Sequence, residues 1–260
     1  MKKHRPLTLG FVLAITSPLH AAVSFVDNFD TYATGGPNAA FDAAYNRSSA
    51  PTISASTGLG GSQSLQNGTD MVLNRKDTAI NLTTVGENSI TLDLFFQHVS
   101  ATGVARPHIG LMPTNSQLTF SSGTELSARI GGNNWLEIRS NGSELFNAGT
   151  ATLSLTVGNW YDLRATITRT ATTNQFNMLV ELYNSSNTGV VGTLVSSLSN
   201  STAITNAAMW TDTEVFAALR ENSSIVNIDR FSVVQVPEPN AAALLGGLGA
   251  FALLRRRRIV

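Results

Sequence analysis

The strongest pattern in the chain is alternation of apolar and polar positions. Ser89–Val99 puts Ile90, Leu92, Leu94 and Phe96 on one side and Thr91, Asp93 and Gln97 on the other. Trp160–Thr168 turns Tyr161, Leu163, Ala165 and Ile167 inward; after a Thr-rich turn, Gln175–Tyr183 does the same with Phe176, Met178, Val180 and Leu182. Successive side chains of a strand point to opposite faces, so these runs predict half-buried strands. Trp135–Arg139 and Glu144–Phe146 flank Asn141-Gly142, a dipeptide that accepts the positive φ angles of a tight hairpin turn. Further strands are predicted at Leu126–Gly131, Thr213–Arg220 and Ile225–Val234. Helical periodicity is nearly absent and no fixed-period repeat is visible. Many short strands separated by Gly, Asn, Ser and Thr turns predict an all-β fold, a sandwich or a barrel.

The two ends break this pattern. Met1–Ala22 carries Lys2, Lys3, His4 and Arg5, then the apolar Leu7–Ile15, then a Pro18 break and small residues at Ala21 and Ala22. That order predicts a secretory signal peptide, removed after Ala21 or Ala22 by signal peptidase. At the other end, Pro237-Glu238-Pro239 cannot continue a helix or a central strand. An uncharged run, Ala241–Leu254, follows, then Arg255, Arg256, Arg257 and Arg258. As a helix these 14 residues would span about 21 Å, short against a bilayer core of roughly 30 Å. Four arginines after an apolar run predict a short transmembrane helix with its basic end in the cytoplasm.

A Pro-Glu-Pro tripeptide, a short membrane run and a basic terminus in this order resemble the PEP-CTERM sorting signal of diderm bacteria. The resemblance implies processing by a membrane-embedded exosortase, a transient inner-membrane anchor, and delivery to the outer surface or an exopolysaccharide matrix. It covers about a tenth of the chain and supplies an address, not an activity.

Between the two ends, Phe25–Tyr32, Gly158-Asn159-Trp160-Tyr161-Asp162-Leu163 and Ile228-Asp229-Arg230-Phe231 resemble the concanavalin A-like, laminin-G-type jelly rolls. That resemblance implies one antiparallel β-sandwich over residues 23–235, with first and last strands side by side. Asp27 and Asp30 would then lie near Asp229. Related jelly rolls often hold calcium, and the resemblance makes Asp27, Asn28, Asp30 and Asp229 its candidate oxygen ligands. The alternative is that these acids cap strand ends and bond backbone N–H groups.

Composition narrows the partners. Ten basic against sixteen acidic residues lie between Val23 and Gln235, a net charge of −6. That disfavours nucleic acid, which needs a basic patch. With no cysteine, neither disulfides nor thiolate metal sites are available. No catalytic set is legible. A jelly-roll hydrolase takes paired carboxylates from one alternating acidic strand, and none is present. Asp212-Thr213-Glu214 reads as a solvated turn and Glu137 with Arg139 as a wet strand face. His98 continues an inward face, and His108 follows Arg106-Pro107 in an expected turn. The glycine clusters Gly58–Gly61 and Gly131-Gly132 read as turns. Glycan binding needs aromatic faces beside polar groups. Trp135, with Asn133 and Asn134 beside it, is the best exposed candidate; Trp160, Trp210 and Tyr183 complete the set, each with a core-packing alternative. The expectation is a non-catalytic surface module for exopolysaccharide, with an inert scaffold as the alternative and a hydrolase or lyase on the same fold as the remote one.

Overall fold

The computed structural model describes residues 24–67, 70–82, 89–100, 107–120, 124–132, 134–149, 152–221 and 226–236. The leader Met1–Ala22, the Pro-Glu-Pro segment, the apolar run and the arginines lie outside these residues. None of the described helices is long and apolar enough to cross a membrane.

The described chain is a sandwich of two antiparallel sheets. Strands are numbered in chain order. One sheet runs β13 (Val191–Ser199), β12 (Gln175–Ser185), β11 (Trp160–Arg169), β6 (Ser89–His98), β16 (Val226–Val236), β4 (Ser64–Asn67), β3 (Thr52–Ser54). β1 (Ser24–Asp27) also pairs with β16, and β14 (Ile204–Thr205) with β12, making nine strands. The second sheet has seven: β10 (Ser143–Asn147), β9 (Leu136–Ser140), β8 (Leu126–Ile130), β7 (Pro107–Met112), β15 (Val215–Glu221), β5 (Met71–Ile80), β2 (Tyr45–Arg47). The chain passes from one sheet to the other between β1 and β2, β2 and β3, β4 and β5, β5 and β6, β6 and β7, β10 and β11, β14 and β15, and β15 and β16, the repeated crossing of a jelly roll. Two short helices, α1 (Ala39–Ala44) and α2 (Ala207–Thr211), start on Asn38 and Asn206, whose side-chain oxygens accept the first free N–H groups.

Alternation decides the packing. Ile90, Leu92, Leu94 and Phe96 on β6, Tyr161, Leu163, Ala165 and Ile167 on β11, and Phe176, Met178, Val180 and Leu182 on β12 all enter one hydrophobic cluster. Each Leu, Ile, Val, Met or Phe among them contributes roughly 1.5–3 kcal/mol on burial, so a one-residue slip, which would turn a whole set outward, is strongly disfavoured. The predicted hairpin is present: Ser140 pairs with Ser143, and Asn141 and Gly142 have φ of 52° and 74°. The first and last strands pair as the jelly-roll resemblance implies, Asp27 lying opposite Phe231.

Two expectations are corrected. His108 is not in a turn but within β7, buried, its ring stacked 3.9 Å from Phe120; the loop Pro113–Phe120 folds back over its own strand. Glu137 is not on a wet face but 2% exposed, because Arg129 and Arg139 compensate its charge. Strands β5 and β13 carry no clean alternation and are not visible in the pattern. Four successive residues of β5, Met71 to Asn74, are buried, and β13 is exposed on both sides over its first half.

Candidate functional site

The outward residues of the nine-stranded sheet form cross-strand rungs. In one, Tyr183 of β12, Asp162 of β11, Phe95 of β6 and Arg230 of β16 lie side by side. In the next, Glu181, Arg164, Asp93 and Ser232 follow the same order. The rung on the other side places Trp160 beside Gln97 and Ser185, with Asn227 next to Gln97. Opposed residues of adjacent strands stand about 4.5–5.5 Å apart, so these side chains are forced into one cluster.

Arg164 organises it. Its Nε donates to Asp93 Oδ1 at 2.5 Å and its Nη2 to Asp162 Oδ2 at 3.1 Å, while its guanidinium carbon lies 5.3 Å from the Tyr183 ring centre. The Tyr183 hydroxyl donates to Glu181 Oε1 at 2.8 Å, and that bond to a carboxylate raises the phenol's pKa. Asp162 is fully buried and its Oδ1 has no hydrogen-bond partner. Burial, reinforced by the Asp93 charge, pushes its pKa up to about 7 against the pull of Arg164 and Arg230. The Arg230 guanidinium carbon lies over Phe95, 3.7 Å from the ring centre, a cation over a π face.

Two turns meet beside this face. Gly60 N–H donates to Asn187 O at 2.5 Å, and Gly189 sits so close to Leu59 and Arg230 that a Cβ there would lie 3.1 Å from Leu59 Cδ1. Next to them an amide ladder runs across three strands: Gln66 Nε2 to Asn227 Oδ1 at 2.5 Å, Asn227 Nδ2 to Gln97 Oε1 at 2.8 Å, and Gln97 Nε2 to the Gly158 carbonyl at 2.8 Å.

The glycan-binding candidates fall in three places. Trp160 and Tyr183 are brought together on this face. Trp160 is only 4% exposed, so it offers no ring to a sugar; Tyr183 is half-buried. Trp135 stands on the opposite sheet, half-buried, its indole N–H donating to Glu137 Oε1 at 3.2 Å. Asn134 takes the left-handed conformation at φ 57°, and Asn133 lies outside the described residues. Trp210 is packed on Phe176, with the Arg169 guanidinium 3.7 Å over its ring.

The calcium set does not converge. Asp27 Oδ1 accepts the Phe29 N–H, and Oδ2 accepts the hydroxyls of Tyr32 and Tyr45 and the Arg75 guanidinium at 2.6, 2.9 and 2.7 Å. A cation there would have to displace an arginine. Asp229 Oδ2 instead holds the turn below Gly60, accepting from Leu59 N–H at 2.5 Å and Ser62 Oγ–H at 3.0 Å. Asp30 accepts from Gln63 N–H and from the Asn28 amide. Among the described residues no group of three or more His, Asp or Glu side chains is placed to hold a metal ion. Asp212 and Glu214 line an open depression of about 340 Å³ with Pro113, Thr114, Asn115, Thr213 and Phe216. Burial raises the Asp212 pKa.

Asp162, Arg164, Asp93, Glu181 and Arg230 were missed as a group because they come from four strands. Their outward positions were legible; the register that aligns them was not.

Residues 235–258 match the PEP-CTERM protein-sorting motif, the mark of an exosortase-processed surface protein. No curated protein matches the chain. Among solved structures, the chain is similar to a protein of unknown function from Shewanella oneidensis MR-1, at 15% identity over 83% of this chain and 79% of that one, TM-score 0.40. It is similar to the Emp47p carbohydrate recognition domain at 11% identity over 82% and 94%, TM-score 0.47. A glycoside hydrolase family protein from Mycobacterium thermorestibile aligns at 11% identity over 80% and 99%, TM-score 0.43.

Proposed function

We propose that this is a non-catalytic, surface-associated module that binds exopolysaccharide on the outer face of its nine-stranded sheet. The observation that carries the reading is the pair of rungs around Arg164, where a half-buried tyrosine ring stands beside carboxylates and a guanidinium fixed by mutual hydrogen bonds. Polysaccharides are held by such combinations: a ring face for the apolar side of a pyranose, and rigid polar groups for its hydroxyls. Polar groups locked on adjacent strands lose little freedom on binding. The sorting motif supports the same reading, because it is the mark of an exosortase-processed surface protein, and surface polysaccharide is a ligand such a protein can meet. Affinity per site is expected to be weak, on the order of micromolar to millimolar, and to gain from many copies on one surface.

Affinity electrophoresis through gels containing the host's exopolysaccharide tests this. The protein is retarded in proportion to polysaccharide concentration, and no reducing ends are released. Unchanged mobility with every polysaccharide would replace the binding module by an inert scaffold, and released reducing ends would make it a hydrolase. For delivery, replacing Pro237, Glu238 and Pro239 with alanine leaves the protein exported but unprocessed. Mass spectrometry finding Arg255–Arg258 on the mature wild-type protein would instead make the tail a permanent anchor.

A further inference from the structure

A strand at the edge of a sheet exposes a row of unpaired N–H and C=O groups, and natural proteins guard such edges with short strands, charges or prolines. Most of the free edges here obey that rule. β3 and β2 are three residues long, β1 is four, and β10 carries the exposed Glu144. β13 does not. It is nine residues long, Val191-Gly-Thr-Leu-Val-Ser-Ser-Leu-Ser199, and among the described strands it pairs only with β12. The thirty residues Leu182–Thr211 contain no Asp, Glu, Lys, Arg, His or Pro. Leu194 within it is 51% exposed, and Val190 just before it 65%.

We propose that β13 is the edge at which two copies of this chain join, antiparallel about a two-fold axis, continuing the nine-stranded sheet from one copy into the next. Charge chooses the occupant. The body carries −6, so two copies repel each other over most orientations, and the thirty-residue uncharged window is where they meet without opposed like charges. Geometry agrees: an antiparallel strand edge rotated by two-fold symmetry presents donors to its own acceptors, and it brings Leu194 of one copy toward the apolar side chains of the other. A nine-residue edge is about 30 Å long and buries less than the roughly 800 Å² per partner of a standard interface. The association is therefore weak and reversible in solution, and it strengthens when copies share a surface. It is independent of the glycan reading, although it would align two Tyr183-bearing faces on one continuous sheet.

The absence of cysteine makes the test direct. Single cysteines are placed at Thr193, Leu194, Val195, Ser196 and Ser197 of the full chain, with Val157→Cys, exposed in a loop, as the control. Opposed residues near a two-fold axis have Cα atoms about 4.5–5.5 Å apart, inside the range a disulfide spans. Each step away from the axis separates a residue from its own copy by about two residue rises. Under mild oxidation, dimer formation should peak sharply at one or two positions, at least tenfold faster than at Val157→Cys. Sedimentation equilibrium of the wild type should show a concentration-dependent dimer that Leu194→Lys weakens at least tenfold, with an unchanged circular dichroism spectrum. Three results would each overturn the proposal: a flat cross-linking profile, a monomeric wild type at several hundred micromolar, or a dimer that Leu194→Lys leaves intact.

Discussion

On the outer face of the nine-stranded sheet one arginine is shared by two carboxylates, Asp93–Arg164–Asp162; on that of the seven-stranded sheet one carboxylate is shared by two arginines, Arg129–Glu137–Arg139. The surplus charge shows in a neighbour each time. On the first face Asp162, the carboxyl left over, is pushed up to about 7. On the second, burial together with the charges of Arg129, Arg220 and Arg139 holds His108 well below its ordinary value. The arrangements differ in what they leave available. Asp162 can take a proton and so remove its own charge, whereas an arginine cannot lose one. The seven-stranded face is thus locked by its ion pairs, and the nine-stranded face retains an adjustable group beside a half-exposed ring.

The largest effect that follows concerns the shared ions themselves. Glu137→Gln should lose roughly 3–5 kcal/mol, because it leaves two partly buried guanidinium groups without their charge partner. Arg164→Met should lose less, about 1–2 kcal/mol, since Asp162 answers by protonation. Urea unfolding at pH 7 measures both. Equal losses, or the reverse order, would break the contrast between a locked face and an adjustable one. Gly131→Ala provides a second route to the first effect. A Cβ there would collide with Glu137 Oε1 and drive the carboxylate off its arginines without changing any charge.

Stability against pH separates the faces by sign. Asp162 has a folded pKa near 7 and an unfolded one near 3.9, so between those values the native state holds the extra proton. Its stabilising neutral form is fully present below about pH 4 and lost as pH rises through 7, a change of at most about 4 kcal/mol. His108 runs the other way: the unfolded chain takes up a proton near pH 6.5 that the buried imidazole refuses, so stability falls as the solution is acidified below that value. The two slopes are opposed between about pH 4 and 6.5, so Asp162→Asn should make stability rise more steeply with pH there, and His108→Phe, which keeps a ring against Phe120, should make it fall more steeply. One variant removing both slopes would mean that the faces do not titrate independently.

The inward half of this comparison was legible in the sequence, and the outward half was not. Alternation placed Leu92, Leu163 and Val180 in the core because the sheet's period is fixed at two. Asn141-Gly142 gave the hairpin because few dipeptides accept two positive φ angles. Burial of outward residues depends instead on what covers them. Trp160 stands outside the main core and is still nearly inaccessible, and His108 lies beneath Phe120, twelve positions along the chain. Asp27 was placed correctly beside the last strand. Its partners, Tyr45 and Arg75, come from across the sandwich, and no local pattern announced that they would occupy the oxygens expected to bind calcium. β13 escaped notice for a different reason: it has no buried face along its first half and so no alternation to show.

The smallest effect is the one that bears on function. Tyr183 and Trp135 are both half-buried aromatics tied by a hydrogen bond to a glutamate, Glu181 and Glu137 respectively, and the sequence alone favoured the tryptophan. The structure separates them by their surroundings. Glu137 is already saturated by two arginines, so the groups around Trp135 have little hydrogen-bonding capacity left for a ligand. Tyr183 stands between Glu181 and the Arg164 guanidinium, both partly exposed, so polar atoms beside its ring remain open to a ligand. A ring that stacks on a pyranose contributes about 0.5–1.5 kcal/mol beyond its area. Tyr183→Ala should therefore weaken retardation by exopolysaccharide roughly two- to tenfold, with Trp135→Ala changing it less than twofold and neither variant shifting the melting temperature by more than a few degrees. The opposite ranking, a large loss with Trp135→Ala and none with Tyr183→Ala, would move the binding face to the seven-stranded sheet. Carboxylate groups fixed by Arg164 would then have to be read as charge balance for the sheet and nothing more.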